Sequence, residues 1–220
     1  MKFIQYEIKT GKDNMQTDSD LLDSAINTQS EEPIFRLYGW TPACISLGRN
    51  QKEDFVNQKI LDKNNIDIVR RLTGGRALLH DDEITYSYIC PIKSLKNGEN
   101  VTESYKEISQ ILIKCLSKLD IELDFGGEKK HRGHVDYCML VSTGADLCYK
   151  NKKLIGSAQF RKNGYILQHG SILYSYNKEL LETIFKEKID TSSITSIKEI
   201  NSNISKDDII NAFVKYCKAY

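Results

Sequence analysis

Proline is scarce in this chain, three residues in 220, and no low-complexity or proline-rich stretch offers a hinge between domains. A single domain spanning residues 1–220 is therefore expected, long enough to bury a sizeable core without disulfides or metals. Long apolar runs are missing too: none approaches the roughly 20 residues that a membrane helix needs. The N-terminus, Met1-Lys2-Phe3-Ile4-Gln5-Tyr6-Glu7, alternates apolar and polar residues and has the pattern of neither a signal nor a transit peptide. These absences predict a cytoplasmic protein that makes no use of a membrane. An excess of one charge is also lacking. The 31 basic residues against 30 acidic ones give a formal net charge of +1, which argues against a dedicated nucleic-acid binder. The six cysteines (Cys44, Cys90, Cys115, Cys138, Cys148 and Cys217) contain no C-x-x-C pair, and the four histidines do not complete a zinc site. No metal is expected, and most of the thiols read as small hydrophobes in a reducing compartment.

What is present reads as helices mixed with hairpins. Residues 15–27 carry Leu21, Leu22, Ala25 and Ile26 on one stripe, with acids early, and predict a helix. Residues 33–47 predict two short strands around Gly39-Trp40-Thr41-Pro42. A helix over 54–64, a buried strand over Ile66–Arg71 and a strand over Glu83–Cys90 follow. The stripe Ile108, Ile111, Leu112, Cys115, Leu116 and Leu119 marks the clearest helix, over 102–119. Residues 126–134 predict a loop. A hairpin-like stretch then joins Ala145–Tyr149 to Lys153–Gln159, and Asn163-Gly164 signals another hairpin. Short helices are expected at 177–187 and 205–217. The sum is an α+β fold, a mixed β-sheet flanked by helices rather than repeated βαβ units.

Two segments could carry chemistry. In Arg70-Arg71-Leu72-Thr73-Gly74-Gly75-Arg76, paired glycines after a strand let backbone N–H groups approach a ligand, and the arginines could meet an anion or a carbonyl. A tight turn with solvated arginines explains the same residues equally well. In Lys153-Leu154-Ile155-Gly156-Ser157-Ala158, small side chains in a strand leave a gap beside a lysine, as a slender acyl tail would need. On residues alone, a surface lysine and a crowded sheet crossing is the simpler account.

Taken in order, PIFRLYGWTPACISLGRNQ, RRLTGGRALLHDDEITYS and KLIGSAQFRKNGYILQHGSIL resemble three motifs of the biotin/lipoate A/B protein ligase family, over most of the chain. The resemblance implies a fold like the biotin-ligase catalytic domain, with an acyl chain in a tunnel behind the glycine loop and the lysine at its mouth. It implies an acyl site lined by Arg71, Gly74, Gly75, Gly156, Ser157 and Ala158. His80 and His169 fall inside the matched motifs, as proton shuttles or, more simply, as satisfied structural histidines.

The family holds two chemistries. Ligases spend ATP on an acyl-adenylate, whereas octanoyltransferases pass octanoate from acyl carrier protein through a cysteine thioester without ATP. Cys138 lies eighteen residues before Gly156, the spacing at which single-domain octanoyltransferases resembling this chain carry their nucleophile. The resemblance therefore implies an octanoyltransferase with Cys138 as nucleophile and Lys153 as its electrostatic partner, needing no cofactor. A cationic neighbour lowers a thiol from its usual pKa of about 8.5. The implied partners are acyl carrier protein as donor and lipoyl-domain proteins as acceptors, such as glycine-cleavage H protein or dehydrogenase E2 subunits. An ATP-dependent lipoate–protein ligase, an amidotransferase between lipoyl domains, and a non-catalytic acyl-binding protein are the alternatives. Cys148 is the rival thiol, within an expected strand. Met139 to Ala145 replace the Pro-Ser pair and aromatic that relatives tend to show before an acid, here Asp146. The run Lys129-Lys130-His131-Arg132 could steer an acidic carrier, or be a solvated loop.

Overall fold

The computed structural model describes residues 1–127, 136–140, 144, 146–186 and 188–219. In chain order the elements are β1 (Lys2–Lys9), α1 (Gly11–Asn27), β2 (Ile34–Trp40), β3 (Cys44–Leu47), α2 (Gln58–Asn64), β4 (Asp67–Arg70), β5 (Leu78–His80) and β6 (Glu83–Pro91). They continue with α3 (Val101–Ser117), β7 (Asp124–Phe125), β8 (Leu147–Tyr149), β9 (Lys152–Lys162), β10 (Tyr165–Leu173), α4 (Lys178–Phe185), α5 (Ile197–Ile200) and α6 (Lys206–Ala219). Most of the loop expected at 126–134, including the Lys129–Arg132 run, lies outside the described residues, as do 141–143 and Ala145.

A seven-stranded sheet runs β1-β2-β6-β10-β9-β8-β7, and a second sheet runs β4-β3-β5. Only β1 and β2 are parallel in the first, so the sheet is mixed, as the sequence predicts. The Asn163-Gly164 hairpin is present: both residues have positive φ (48° and 80°), the primed turn whose twist matches the strands it joins. β2 and β3 do not pair with each other. Each joins a different sheet, and the Thr41–Pro42 peptide between them is cis. The strand at 67–70 is half-buried rather than buried, because β4 is an edge strand paired only with β3. β5 has only three residues and no periodicity to mark it.

Helix α1 starts four residues earlier than its apolar stripe predicts, because the Thr10 side chain accepts from the backbone N–H of Asp13 and caps it. Leu22 and Ala25 then pack on Ile34, Ile89 and Leu167 of the large sheet. Near its start, Gly11 abuts Cys44 and Val69 of the small sheet. The helix thus spans both sheets. On the opposite face of the large sheet lie α3, through Ile108 and Leu112, and α6, whose Phe213 stacks on Phe35 at 5.4 Å. No described helix is long and apolar enough to cross a membrane.

Candidate active site

Between the two sheets lies a narrow cavity of about 60 Å³ with mostly apolar walls. The large sheet contributes Tyr38, Trp40, Thr85, Gly156 to Ala158 and His169 to Ser171. The small sheet and its loop contribute Ser46, Arg71, Gly75, Leu78 and His80, and Met15 and Cys138 complete the lining. Of the ten residues singled out from the sequence, the structure brings eight to this cavity: Arg71, Gly75, His80, Cys138, Gly156, Ser157, Ala158 and His169. Gly74 and Lys153 are not among its walls. Gly74 is exposed at the crest of the loop. Lys153 is buried at 2% exposure, so it is not a surface lysine.

The loop wall is set by Arg71. Its Nε donates to Thr73 Oγ1 (3.1 Å), Nη1 to Ser46 O (2.7 Å) and Ser46 Oγ (3.1 Å), and Nη2 to Gly74 O (3.0 Å) and Arg76 O (2.7 Å). A guanidinium has five N–H groups, and five acceptors of the protein take them. The carbonyls that Arg71 meets belong to the loop (Gly74, Arg76) and to β3 (Ser46), so the guanidinium clamps the loop to the small sheet. The loop is pressed close to β3 as well: a Cβ on Gly48 would lie 2.0 Å from Gly75 O.

Both histidines extend this clamp. Thr73 Oγ1 accepts from Arg71 Nε and is hydrogen-bonded to His169 Nε2 at 2.7 Å. The opposite nitrogen, Nδ1, lies 3.4 Å from Asp18 Oδ2. Asp18, 1% exposed on α1, also takes Arg36 Nη1 (2.8 Å), Tyr38 OH (2.9 Å) and Ser87 Oγ (2.9 Å). Burial opposes its charge, but His169, Arg36 and Tyr38 more than offset this and hold the carboxyl below its usual range. Likewise Ser46 Oγ is hydrogen-bonded to His80 Nε2 (2.8 Å), whose Nδ1 is 3.3 Å from Glu83 Oε1, without the alignment of a hydrogen bond. Trp40 stacks on the His80 ring at 3.9 Å, and burial pushes the imidazole below its usual pKa. His169 is thus partnered on both ring nitrogens, whereas His80 Nδ1 has no aligned partner.

Cys138 opens a short 3-10 turn (Cys138–Leu140) beside β9. Its N–H donates to Ala77 O (2.8 Å), and its carbonyl accepts from Lys153 Nζ (3.2 Å). The same ammonium pairs with buried Asp146 at 3.0 Å. Lys153 thus reaches Cys138 through the backbone, and Arg71 is close enough for its charge to interact with the thiol. The other five cysteines are buried, whereas Cys138 is half-buried on the cavity wall. Burial pushes Cys44 and Cys90 up to about 12 and Cys217 to about 11, and raises Cys115 further. Cys148, the rival, is buried in β8. The gap expected at Gly156 is occupied: a Cβ there would meet Lys153 Cε at 3.0 Å and Met139 Sδ at 3.2 Å.

Sequence reasoning gave no role to Asp18, Arg36 or Glu83, and named Asp146 only as the acid after the 139–145 segment. A signal existed for Asp18: with the helix begun at Gly11, Asn14 and Asp18 fall on the same buried face as Leu22 and Ala25. Polar residues on a core face mark a buried network.

Residues 10–218 match the lipoyl protein ligase A/B catalytic domain, and the chain belongs to that family. Octanoyltransferase LipM of Carboxydothermus hydrogenoformans is 37% identical over 188 residues, covering 85% of this chain and 70% of the relative. The protein of the same name from Clostridioides difficile is 39% identical over 182 residues, covering 81% and 67%. The fold matches that of a lipoate-protein ligase A bound with ATP, with a TM-score of 0.76 at 20% identity over 98% of this chain and 83% of the other. A bi-partite lipoate protein ligase from Thermoplasma acidophilum matches with a TM-score of 0.70, at 20% identity over 98% and 82%.

Proposed function

We propose that the chain, as one catalytic domain over 1–220, transfers an octanoyl group from octanoyl-acyl carrier protein to the lysine of a lipoyl domain in lipoate biosynthesis. The carrier is the octanoyl donor, lipoyl-domain proteins are the acceptors, and the reaction takes place in the cytoplasm. The observation that carries this reading is the position of Cys138, a half-buried thiol on the wall of an apolar cavity in a chain whose other thiols are buried. The relatives named octanoyltransferases support it.

In the first step Cys138 Sγ, as thiolate, bonds to the thioester carbonyl carbon, and the carbonyl pair moves to oxygen. Collapse expels the carrier's thiolate. One thioester replaces another, so the step is nearly isoenergetic and rests on positioning. In the second step the acceptor amine attacks the same carbon, its nitrogen loses a proton to water, and Cys138 leaves as thiolate. Lys153 holds the Cys138 carbonyl, Arg71 holds the loop opposite, and the cavity holds the tail. Each methylene buried there contributes about 0.8 kcal/mol. No step requires a cofactor.

Intact-protein mass spectrometry after mixing with octanoyl-acyl carrier protein, without ATP or acceptor, tests this. The expected result is a hydroxylamine-sensitive gain of one octanoyl group, absent from Cys138→Ala, with transfer in the variant reduced by about 10⁴-fold or more. Acylation of an acceptor only with free acid and ATP would replace the reading with a ligase.

A further inference from the structure

The loop that walls the cavity also backs an open, polar hollow, lined by residues 49–54 and Arg70. Cavity and hollow share one support. The Arg49 N–H donates to Thr73 O (2.9 Å), Gly48 presses on Gly75, and Arg70 precedes the cavity residue Arg71. Three cations line the hollow (Arg49, Lys52 and Arg70) against two carboxylates (Glu53 and Asp54), a net of +1. None of the five forms an ion pair among the described residues.

The two arginines are held in place without being used up. Arg70 Nη1 donates to Gln51 O (2.6 Å), Gly48 O (2.9 Å) and, at 3.4 Å, Arg49 O. That nest of carbonyls takes one nitrogen of the guanidinium. Nε and Nη2 have no partner among the described residues, whereas Arg71 spends every N–H on the protein. The Arg49 guanidinium lies over the Phe160 ring, 5.5 Å from its centroid, and makes no hydrogen bond among the described residues. Holding the loop accounts for Nη1 of Arg70 alone. The free Nε–Nη2 edge is a fork of parallel donors that fits two oxygens of a phosphate. A side chain already fixed gives up little further freedom on binding one.

The donor in the reaction proposed above carries such a group. A carrier protein presents its acyl chain as a thioester on a phosphopantetheine arm, which a phosphodiester of single negative charge joins to the carrier. About 13 bonds separate the thioester sulfur from the phosphorus, an extended span of roughly 16 Å. Two backbone segments, at Gly48 and at Thr73–Gly75, lie between cavity and hollow. At the ~5 Å spacing of paired segments that is about 10 Å, within the arm's reach. Cys138 stands beside the end of the same loop, its N–H on Ala77 O at 2.8 Å.

We propose that Arg49 and Arg70 bind the phosphodiester of the donor's pantetheine arm, so that the hollow selects carrier-bound acyl groups by their phosphate. This rests on the acyl-transfer reading above. The test measures kcat/KM for Cys138 acylation, at constant ionic strength, with octanoyl-acyl carrier protein, octanoyl-4′-phosphopantetheine and octanoyl-pantetheine, which lacks the phosphate. Wild type is compared with Arg49→Ala and with Arg70→Lys, whose ammonium keeps a cation on the carbonyl nest but loses the fork. Wild type is expected to favour phosphopantetheine over pantetheine by at least about 10-fold, and each variant to lose most of that ratio, chiefly through KM. Ratios within one variant are insensitive to the fraction folded. A wild-type ratio near one, or a ratio unchanged in both variants, would overturn the phosphate site and leave the transfer reading standing. Variants slower with the carrier alone would assign the arginines to the carrier's own surface and overturn the phosphate site too. A wild type that forms no thioester with any of the three donors would overturn both readings.

Discussion

Arg71 feeds two branches built to one plan, each a hydroxyl, an imidazole and a carboxylate in series. One runs through Thr73 and His169 to Asp18, the other through Ser46 and His80 to Glu83. They end differently. Asp18 meets a buried cation, Arg36, together with two hydroxyls. Glu83 is held by neutral donors, Thr85 at 2.5 Å and Ser171, with the His80 ring near but misaligned. The Asp18 branch ties α1 to the large sheet through an ion pair. The Glu83 branch lies under Trp40 on the cavity wall, and its imidazole makes no aligned hydrogen bond to the carboxylate. A shared origin with unequal ends predicts a graded set of responses.

The largest belongs to the common root. Arg71→Ala leaves the carbonyls of Ser46, Gly74 and Arg76 without their donor and frees both branches at once. A loss of about 3–5 kcal/mol is expected in urea unfolding, with transfer activity lost alongside. Arg71→Lys should recover little of it, because an ammonium is a single point of donation and cannot span five acceptors. If Arg71→Ala proves as stable as wild type, the loop is held by other means and the branches do not share a root.

Much of this plan is hidden from the sequence for a physical reason. The α3 stripe and the Asn163-Gly164 turn were legible because their causes are local, in periodicity and turn chemistry. That β2 and β3 part into different sheets was not legible, since partner choice is nonlocal. Arg71 was visible as an important residue, yet three of its five acceptors are main-chain carbonyls, which no residue letter announces. Asp18 was read only as one of the acids early in a helix, although it lies four residues before Leu22 on the same buried face. Cys138 stood out only by its distance from Gly156 within a family resemblance; its half-exposed setting became visible once the other five thiols were seen to be buried.

The next effect separates the branches. Asp18→Asn leaves Arg36 buried beside a neutral amide, at a cost of about 3 kcal/mol. Because the folded carboxyl lies below its unfolded value, its contribution is fully present above about pH 3.9 and is lost as pH falls through the folded pKa. The wild type should therefore lose stability steeply in that acid window, and the variant should show a shallower slope. Equal slopes would mean that the Asp18 branch is not the charge-balanced one.

The smallest effect tests the Glu83 branch. His80 is neutral in the fold because burial lowers its pKa, so between the unfolded value of about 6.5 and the lower folded value the unfolded chain binds more protons. Stability then rises with pH across that window and falls as the window is crossed downward. His80→Gln keeps an amide near Ser46 and removes the titration, so urea midpoints from pH 7 to 5 should flatten relative to wild type. A wild type with no slope there would mean that Glu83 secures the imidazolium after all. The two branches would then be electrostatically alike, and the misaligned Nδ1 would mark a proton waiting for its carboxylate rather than a loose end.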